Sequence, residues 1–336
     1  MLRRLDPAVA RETLEAVFDG QCADGFIPHM ASPHEKSDIT QPPILGYGIK
    51  LLLEQQQSPE FLERLYPKNA AFLNWIFAHR DTDGAGLVEW AIEAHEMCRS
   101  GESGMDNSTR FDGATQLDAP DFNAYLASEC EIMAEFAALL GRPEEQKLWQ
   151  ERHRKLNHLM NERLWNDAAG LYVDYDLAAG KQSPVLSLAG FLPLISGAPT
   201  AEMAEKLVRN LKNPETFGTP FPVPSISFSQ PEFYSKDMWR GPVWININTL
   251  IARGLDRYGY RDEARQLRSR TMRELEKFYC RYGTFFEFYD DRNECDPPEL
   301  LRKFRCDPDR SVYHQAFMDY GWSATLYIDL AFTMYS

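Results

Sequence analysis

Apolar positions along the chain group into two alternating kinds of segment, both at helical spacing. One kind is apolar on nearly every side and must be enclosed by other elements; the other carries one charged face and belongs outside. Asp6-Pro7 predicts a helix to about Gly20, with the aspartate as cap and the proline in the first turn. A helix from Ile39 to about Gln57, with Pro42 and Pro43 near its start, is apolar nearly all round. Ser58-Pro59-Glu60 caps a more charged one to about His79. Asp118-Ala119-Pro120 caps the next, in which Phe122, Leu126, Cys130, Met133, Phe136 and Leu140 recur until Gly141 stops it. Pro143 opens a charged helix through Arg163. After a connection with a short strand, Leu171 to Tyr175, the alternation repeats. An uncharged helix runs from Pro184 to Ser196, and a charged one from Thr200 to near Pro214. An apolar helix then runs from Gly241-Pro242 to Tyr258, a charged one from Asp262 to about Arg281, and an apolar one from Gln315 onward.

The connections alternate as well. Links of roughly 17 to 36 residues lead into the apolar helices, and links of about one to four lead out of them. Short links make antiparallel hairpins, so every long loop falls at one end of the assembly. The expected architecture is all-α: an (α/α)6 toroid with one functional mouth and short strands in the mouth loops, forming a single domain over residues 1–336. Five inner and five outer helices are counted, one N-terminal pair short of a closed ring. An open solenoid of hairpins is disfavoured because neither uniform loops nor self-similarity is found. An incomplete ring would expose apolar surface on the end helices, so a homo-oligomer through those helices is expected.

Composition narrows the partners. With 336 residues, 44% apolar and 12% aromatic, the chain can bury a large core. A net charge of −14 leaves no basic stripe for nucleic acid. No apolar run spans a bilayer, and the N-terminus leads into an amphipathic helix, not a signal peptide. The six cysteines, Cys22, Cys98, Cys130, Cys280, Cys295 and Cys306, show no tight spacing and read as free thiols of a cytoplasmic protein.

The chemistry concentrates in the mouth loops. Gly101 to Asp112 packs three carboxylates, an amide, three hydroxyls and an arginine into a run with no helical or strand period, and Asp106 reads as a proton donor in sugar chemistry. Glu287 sits among aromatic rings in Phe285-Phe286-Glu287-Phe288-Tyr289, where desolvation favours the protonated form. Two carboxylates meeting across one mouth suit glycosidic hydrolysis, one as acid and one as base. Trp239-Arg240-Gly241-Pro242-Val243-Trp244 and Tyr320-Gly321-Trp322-Ser323 offer indole faces for sugar rings. Arg240 and Lys236 suit hydroxyls or an anionic group, while Asn246 and Asn248 brace loops. Asp81-Thr82-Asp83-Gly84-Ala85-Gly86 begins like a calcium loop, but Ala85 and Ile92 stand where ligands are needed, so a tight turn is expected and no metal. No phosphate-cradling loop is found, and no cofactor is expected. Two rival readings remain open: a sugar 2-epimerase using His29, His95 or His314, and a non-catalytic carbohydrate-binding relic.

Glu102-Ser-Gly-Met-Asp-Asn-Ser-Thr-Arg-Phe111, Trp239 to Trp244, Phe286-Glu-Phe-Tyr289 and Tyr320 to Ser323 together resemble the signature segments of glycoside hydrolase family 63. They are most similar to those of its bacterial mannosylglycerate and glucosylglycerate hydrolases, with trehalases as distant relatives. The resemblance implies inverting hydrolysis of a short α-glucoside or α-mannoside, with Asp106 as general acid and Glu287 as general base. It further implies sugar contacts at Trp239, Arg240, Trp244, Arg110 and Trp322, with Glu102 and Tyr320 beside them as substrate-binding candidates. Thr109 departs from the proline often found there, and a Trp- and Asp-containing N-terminal segment of the family has no counterpart before Asp6.

Overall fold

The computed structural model describes residues 2–95, 98–303 and 314–335. Cys306 lies outside these residues; Cys22, Cys98, Cys130, Cys280 and Cys295 are free, and of these Cys130 is buried. The helices are α1 (Leu2–Leu5), α2 (Pro7–Asp19), α3 (Leu45–Gln55), α4 (Pro59–His79), α5 (Pro120–Leu139), α6 (Pro143–Leu159), α7 (Pro193–Ser196), α8 (Ala201–Lys212), α9 (Ile245–Arg257), α10 (Arg261–Tyr282) and α11 (Gly321–Tyr335). The expected caps form: Asp6 accepts from the Ala8 and Val9 amides, Ser58 from Phe61 and Thr200 from Met203. Helices α3, α5, α7, α9 and α11 touch in succession, with α2, α4, α6 and α10 packed against them. Arg4 of α1 reaches Asp329 of α11 at 3.2 Å, which brings the two ends of the ring together. Helix α5 is buried nearly all round; its two buried acids are satisfied there, Asp121 by Arg110 and Glu129 by the Gly46 and Tyr47 amides and Asn69.

Four inner helices differ from expectation because residues at their entrances are already bonded elsewhere. Helix α11 begins at Gly321 and not Gln315, since Gln315 bridges to Leu301 and the Phe317 carbonyl accepts the Glu287 amide. Helix α3 begins at Leu45 and not Ile39, since Pro42 and Pro43 donate nothing and the Thr40 amide is held by Glu102 at 3.0 Å. Helix α9 begins at Ile245, because Val243 exchanges backbone bonds with Tyr289. The helix expected over 184–196 shrinks to a 3-10 turn, Leu188–Phe191, followed by α7. There the Leu188 amide goes to the Ser225 carbonyl, and the Leu186 amide to the Gln230 side chain. Gly190 lies so close to Tyr172 that a Cβ would fall 2.3 Å from the tyrosine carbonyl oxygen.

The mouth loops carry short antiparallel strands: β1 (Leu117–Asp118), β2 (Trp165–Asn166), β3 (Leu171–Tyr172), β4 (Tyr175–Asp176) and β5 (Lys181–Gln182). They form a β1-β4-β5 sheet, with Leu117 opposite Asp176, and a β2-β3 hairpin, with Trp165 opposite Tyr172. The single strand expected at 171–175 is split between β3 and β4, and Asp174 turns inward between them. Among the described residues no helix is long and apolar enough to cross a membrane.

Candidate active site

Glu287 lies in an extended run whose neighbours Phe286, Phe288 and Tyr289 are fully buried. Phe286 and Tyr289 join Phe221, Val243, Ile245, Leu275 and Phe278 in one apolar cluster, which fixes the run against α9 and α10. The Val243–Tyr289 backbone pair and the Glu287 amide bond to Phe317 (2.9 Å) hold its register. Only 3% of Glu287 is exposed. Its carboxylate accepts from Arg302 Nε at 2.8 Å and Nη2 at 3.4 Å, and the guanidinium lies over the Phe317 ring at 4.3 Å. Burial raises the Glu287 pKa, Arg302 opposes the rise, and the charge of Asp106 adds to it.

Asp106 lies in the loop between Glu89 and Asp118, its backbone carbonyl taking the amides of Arg99 (2.7 Å) and Ser100 (3.2 Å). Its side chain is 20% exposed, and Oδ2 meets Lys303 Nζ at 2.8 Å. The two carboxylates are thus engaged by successive residues, Arg302 and Lys303. That dipeptide is held by a parallel bridge between Asp237 and Leu301, while Asp237 Oδ1 accepts both the Lys303 amide (2.9 Å) and Asn107 Nδ2 (2.9 Å). Asn107 Oδ1 in turn accepts the Trp239 amide at 3.1 Å. One buried aspartate therefore joins the loop of Asp106, the Trp239 segment and the Arg302-Lys303 segment. Lys303 has φ +56°, a costly setting for a residue with a Cβ, sustained here by those contacts. Burial, joined by the charges of Glu287 and Asp106 and opposed by Arg302, pushes the Tyr320 phenol up to about 12, so these groups share one electrostatic neighbourhood.

The remaining candidates divide. Trp239 and Trp244 are buried and stacked with ring centroids 3.8 Å apart. Trp244 Nε1 donates to the Met238 carbonyl, whereas Trp239 Nε1 is a buried donor with no acceptor among the described residues. Trp322, 48% exposed, starts α11. Two expectations are corrected. Glu102 is fully enclosed, accepting from the amides of Thr40 and Ala91 and from the Arg80 guanidinium, so it braces the loop and does not face a ligand. Arg110 is likewise fully buried and clamped by Asp121 (2.8 and 2.9 Å) and Asp174 (2.8 and 2.6 Å). Arg240 makes a bidentate pair with Asp112 and lines a cavity of about 440 Å³ with Thr109, Lys181 and Tyr234; neither Asp106 nor Glu287 lines it. Lys236 is engaged by Asp290 and Glu294. Asn248 braces as expected, donating to Pro222 and Thr271. Sequence reasoning missed Arg302, Lys303 and Asp237; two adjacent cations downstream of Glu287 in the same mouth loop were the available signal.

The family model described as "Mannosylglycerate hydrolase MGH1-like glycoside hydrolase domain" matches residues 1–323. A mannosylglycerate hydrolase from Rubrobacter radiotolerans is 26% identical, with 85% of this chain and 82% of that protein aligned. The GH63 mannosylglycerate hydrolase from Thermus thermophilus, crystallised with Tris and D-glycerate, superposes with a TM-score of 0.79 at 25% identity, covering 99% of this chain and 90% of that one. Neutral trehalase Nth1 from Saccharomyces cerevisiae shares the fold, with a TM-score of 0.74 at 17% identity over 97% of this chain and 68% of its own.

Proposed function

The chain belongs to the mannosylglycerate hydrolase MGH1-like glycoside hydrolase family, and from that membership we propose that it cleaves a short α-mannoside or α-glucoside bearing an anionic aglycone such as glycerate. It is a glycoside hydrolase on the (α/α)6 toroid, which sets the 2-epimerase reading aside. Asp106 is the proposed acid and Glu287 the proposed base, acting within one catalytic domain. Support comes from one observation above all: two carboxylates from distant loops are coupled electrostatically, and each is engaged by one member of the same dipeptide.

In the proposed reaction Asp106 gives its proton to the glycosidic oxygen as the C1–O bond breaks. Glu287 takes a proton from the water that attacks C1 from the opposite face, so the configuration inverts, which requires roughly 6.5–9.5 Å between the carboxyl groups. A base must be ionised, and Arg302 holds Glu287 toward that form against its burial. Lys303 covers Asp106 Oδ2 and must leave it as the leaving oxygen arrives. A carboxylate on the aglycone gives that ammonium its next partner. Trp239, Trp322 and Tyr320 are the proposed sugar contacts, and the unpartnered Trp239 Nε1 suits a hydroxyl. The free thiols support a cytoplasmic location, and the exposed Leu5, Val9 and Phe332 support self-association through the end helices.

The test is early-time NMR of the sugar released from mannosylglycerate, glucosylglycerate and their neutral glycerol analogues. The β-anomer appears first, and Asp106→Asn and Glu287→Gln each slow turnover about 10²- to 10⁴-fold with an unchanged melting temperature. Release of the α-anomer first, or both variants turning over like wild type, sinks the assignment. Binding without turnover, identical in all three proteins, identifies the binding relic instead.

A further inference from the structure

The cavity of about 440 Å³ lies between the segment after Asp106, the β4–β5 pair and residues 232–240, and is within the size range of small-molecule sites. None of Asp106, Glu287, Arg302 and Lys303 lines it, so it is not the hollow of the proposed catalytic pair. Its charges are already matched. Arg240 makes its bidentate pair with Asp112, and Arg110 is held by Asp121 and Asp174. Lys181 stands directly opposite Asp176 in the β4–β5 register, where opposed side chains share a face. Glu232 adds one more acid to the rim. Among the described residues, an anion, glycerate included, therefore meets no uncompensated cation there.

The walls offer ring faces and hydroxyl partners instead. Tyr234 is fixed in place: its hydroxyl donates to Asp291, and its ring stands edge-on to Phe228 with centroids 6.1 Å apart. Gly241 lets that ring approach so closely that a Cβ would fall 2.7 Å from Tyr234 Cε2. Phe233 beside it is half-buried and belongs to neither apolar cluster of the core. Such rings suit the C–H face of a pyranose, the apolar side of a molecule that is otherwise polar. The Arg240–Asp112 pair presents parallel donors and acceptors, and the Asp112 side chain keeps 47% of its surface exposed, so neighbouring sugar hydroxyls can join it. Thr109 also lines the wall, and its Oγ1 is buried without a partner among the described residues, a cost that a ligand hydroxyl would relieve. We propose that this cavity is a second carbohydrate site, taking a neutral pyranose on Phe233 and Tyr234 with its hydroxyls on the Arg240–Asp112 pair and Thr109. The ion pair it covers joins the segment of Asp106 to that of Trp239, so an occupant bridges two loops that the proposed reaction uses. The ring belongs either to a separate sugar or to the far end of a longer glycoside; the chemistry of recognition is the same.

The site is tested by binding to the full chain, independently of turnover. Methyl NMR follows Ala114, Leu117 and Val185, which line the cavity, during titration with D-glucose, D-mannose and maltotriose, with D-glycerate as the anionic control. The neutral sugars shift these methyls saturably and glycerate does not. Phe233→Ala weakens the binding about tenfold or more through the lost ring contact, Phe233→Tyr retains it, and Thr109→Val weakens it less, with melting temperatures confirming that each variant is folded. Where the ring belongs to the substrate, Phe233→Ala lowers kcat/KM for a glycoside with a disaccharide aglycone and spares the glycerate glycoside. Where the sugar binds separately, it changes neither. Methyls unmoved up to about 100 mM sugar, far weaker than millimolar binding, overturn the site. So does saturable binding that Phe233→Ala and Thr109→Val both leave unaltered, and equal shifts with glycerate overturn its neutral character.

Discussion

At the residue scale, Lys303 pairs with the proposed acid, its ammonium 2.8 Å from Asp106 Oδ2, so the proposed reaction puts that charge beside the leaving aglycone. Lys303→Met should lower kcat/KM for the glycerate glycoside far more than for its neutral glycerol analogue, by about tenfold or more if a charge-assisted contact is lost. Equal losses on both substrates would remove Lys303 from aglycone recognition. The base also fixes a pH dependence. Glu287 must be ionised to act, and its pKa is raised, so the acid limb of kcat/KM lies above the usual glutamate range. Arg302 opposes that rise, so Arg302→Met shifts the limb to higher pH; a limb moving to lower pH contradicts the assignment of base. Both proposed catalytic carboxylates are legible in the sequence, because one sits in an aperiodic polar run and the other among aromatic rings. Glu102 and Arg110 carry the same outward signal, yet both are enclosed by protein. Residue type does not say whether a polar group faces a hollow or braces its wall.

At the scale of elements, the inner–outer alternation and most helix caps follow from periodicity and end chemistry alone. The helix boundaries that fail are at the entrances of inner helices, where backbone groups are diverted to other loops: Thr40 to Glu102, Val243 to Tyr289, Leu188 to Ser225, Gln315 to Leu301. Such pairings join segments distant in sequence and leave no local trace in hydrophobic spacing. Gly190 marks one of them, and Gly190→Ala should cost about 1–3 kcal/mol by overpacking against Tyr172, measurable by urea unfolding. Arg110→Met leaves Asp121 and Asp174 buried without their shared cation, a loss of about 3–5 kcal/mol. A variant as stable as wild type would show that the network is dispensable.

At the scale of the whole molecule, burial of acids sets a stability profile that net charge does not reveal. Glu129 and Asp291 are each pushed up to about 7, burial being the main cause. The folded chain therefore holds protons that the unfolded chain releases near pH 4, and stability falls as pH rises from about 4 to 7. Calorimetric melting should give a higher temperature at pH 5.5 than at pH 8, and Glu129→Gln should flatten part of that slope. The toroid itself was readable because each apolar helix had to be sandwiched. The meeting of α1 with α11 through Arg4 and Asp329 was not, since no periodicity reports on a contact between the two extremes of the chain.

Asp237 receives a hydrogen bond from each of two loops whose opposite charges, Asp106 and Lys303, meet in an ion pair. Drift at positions 107 and 237 is consequently not independent. Once Asp237 is lost, a second change at Asn107 costs little more, so a double-mutant cycle between these two positions should show strong epistasis.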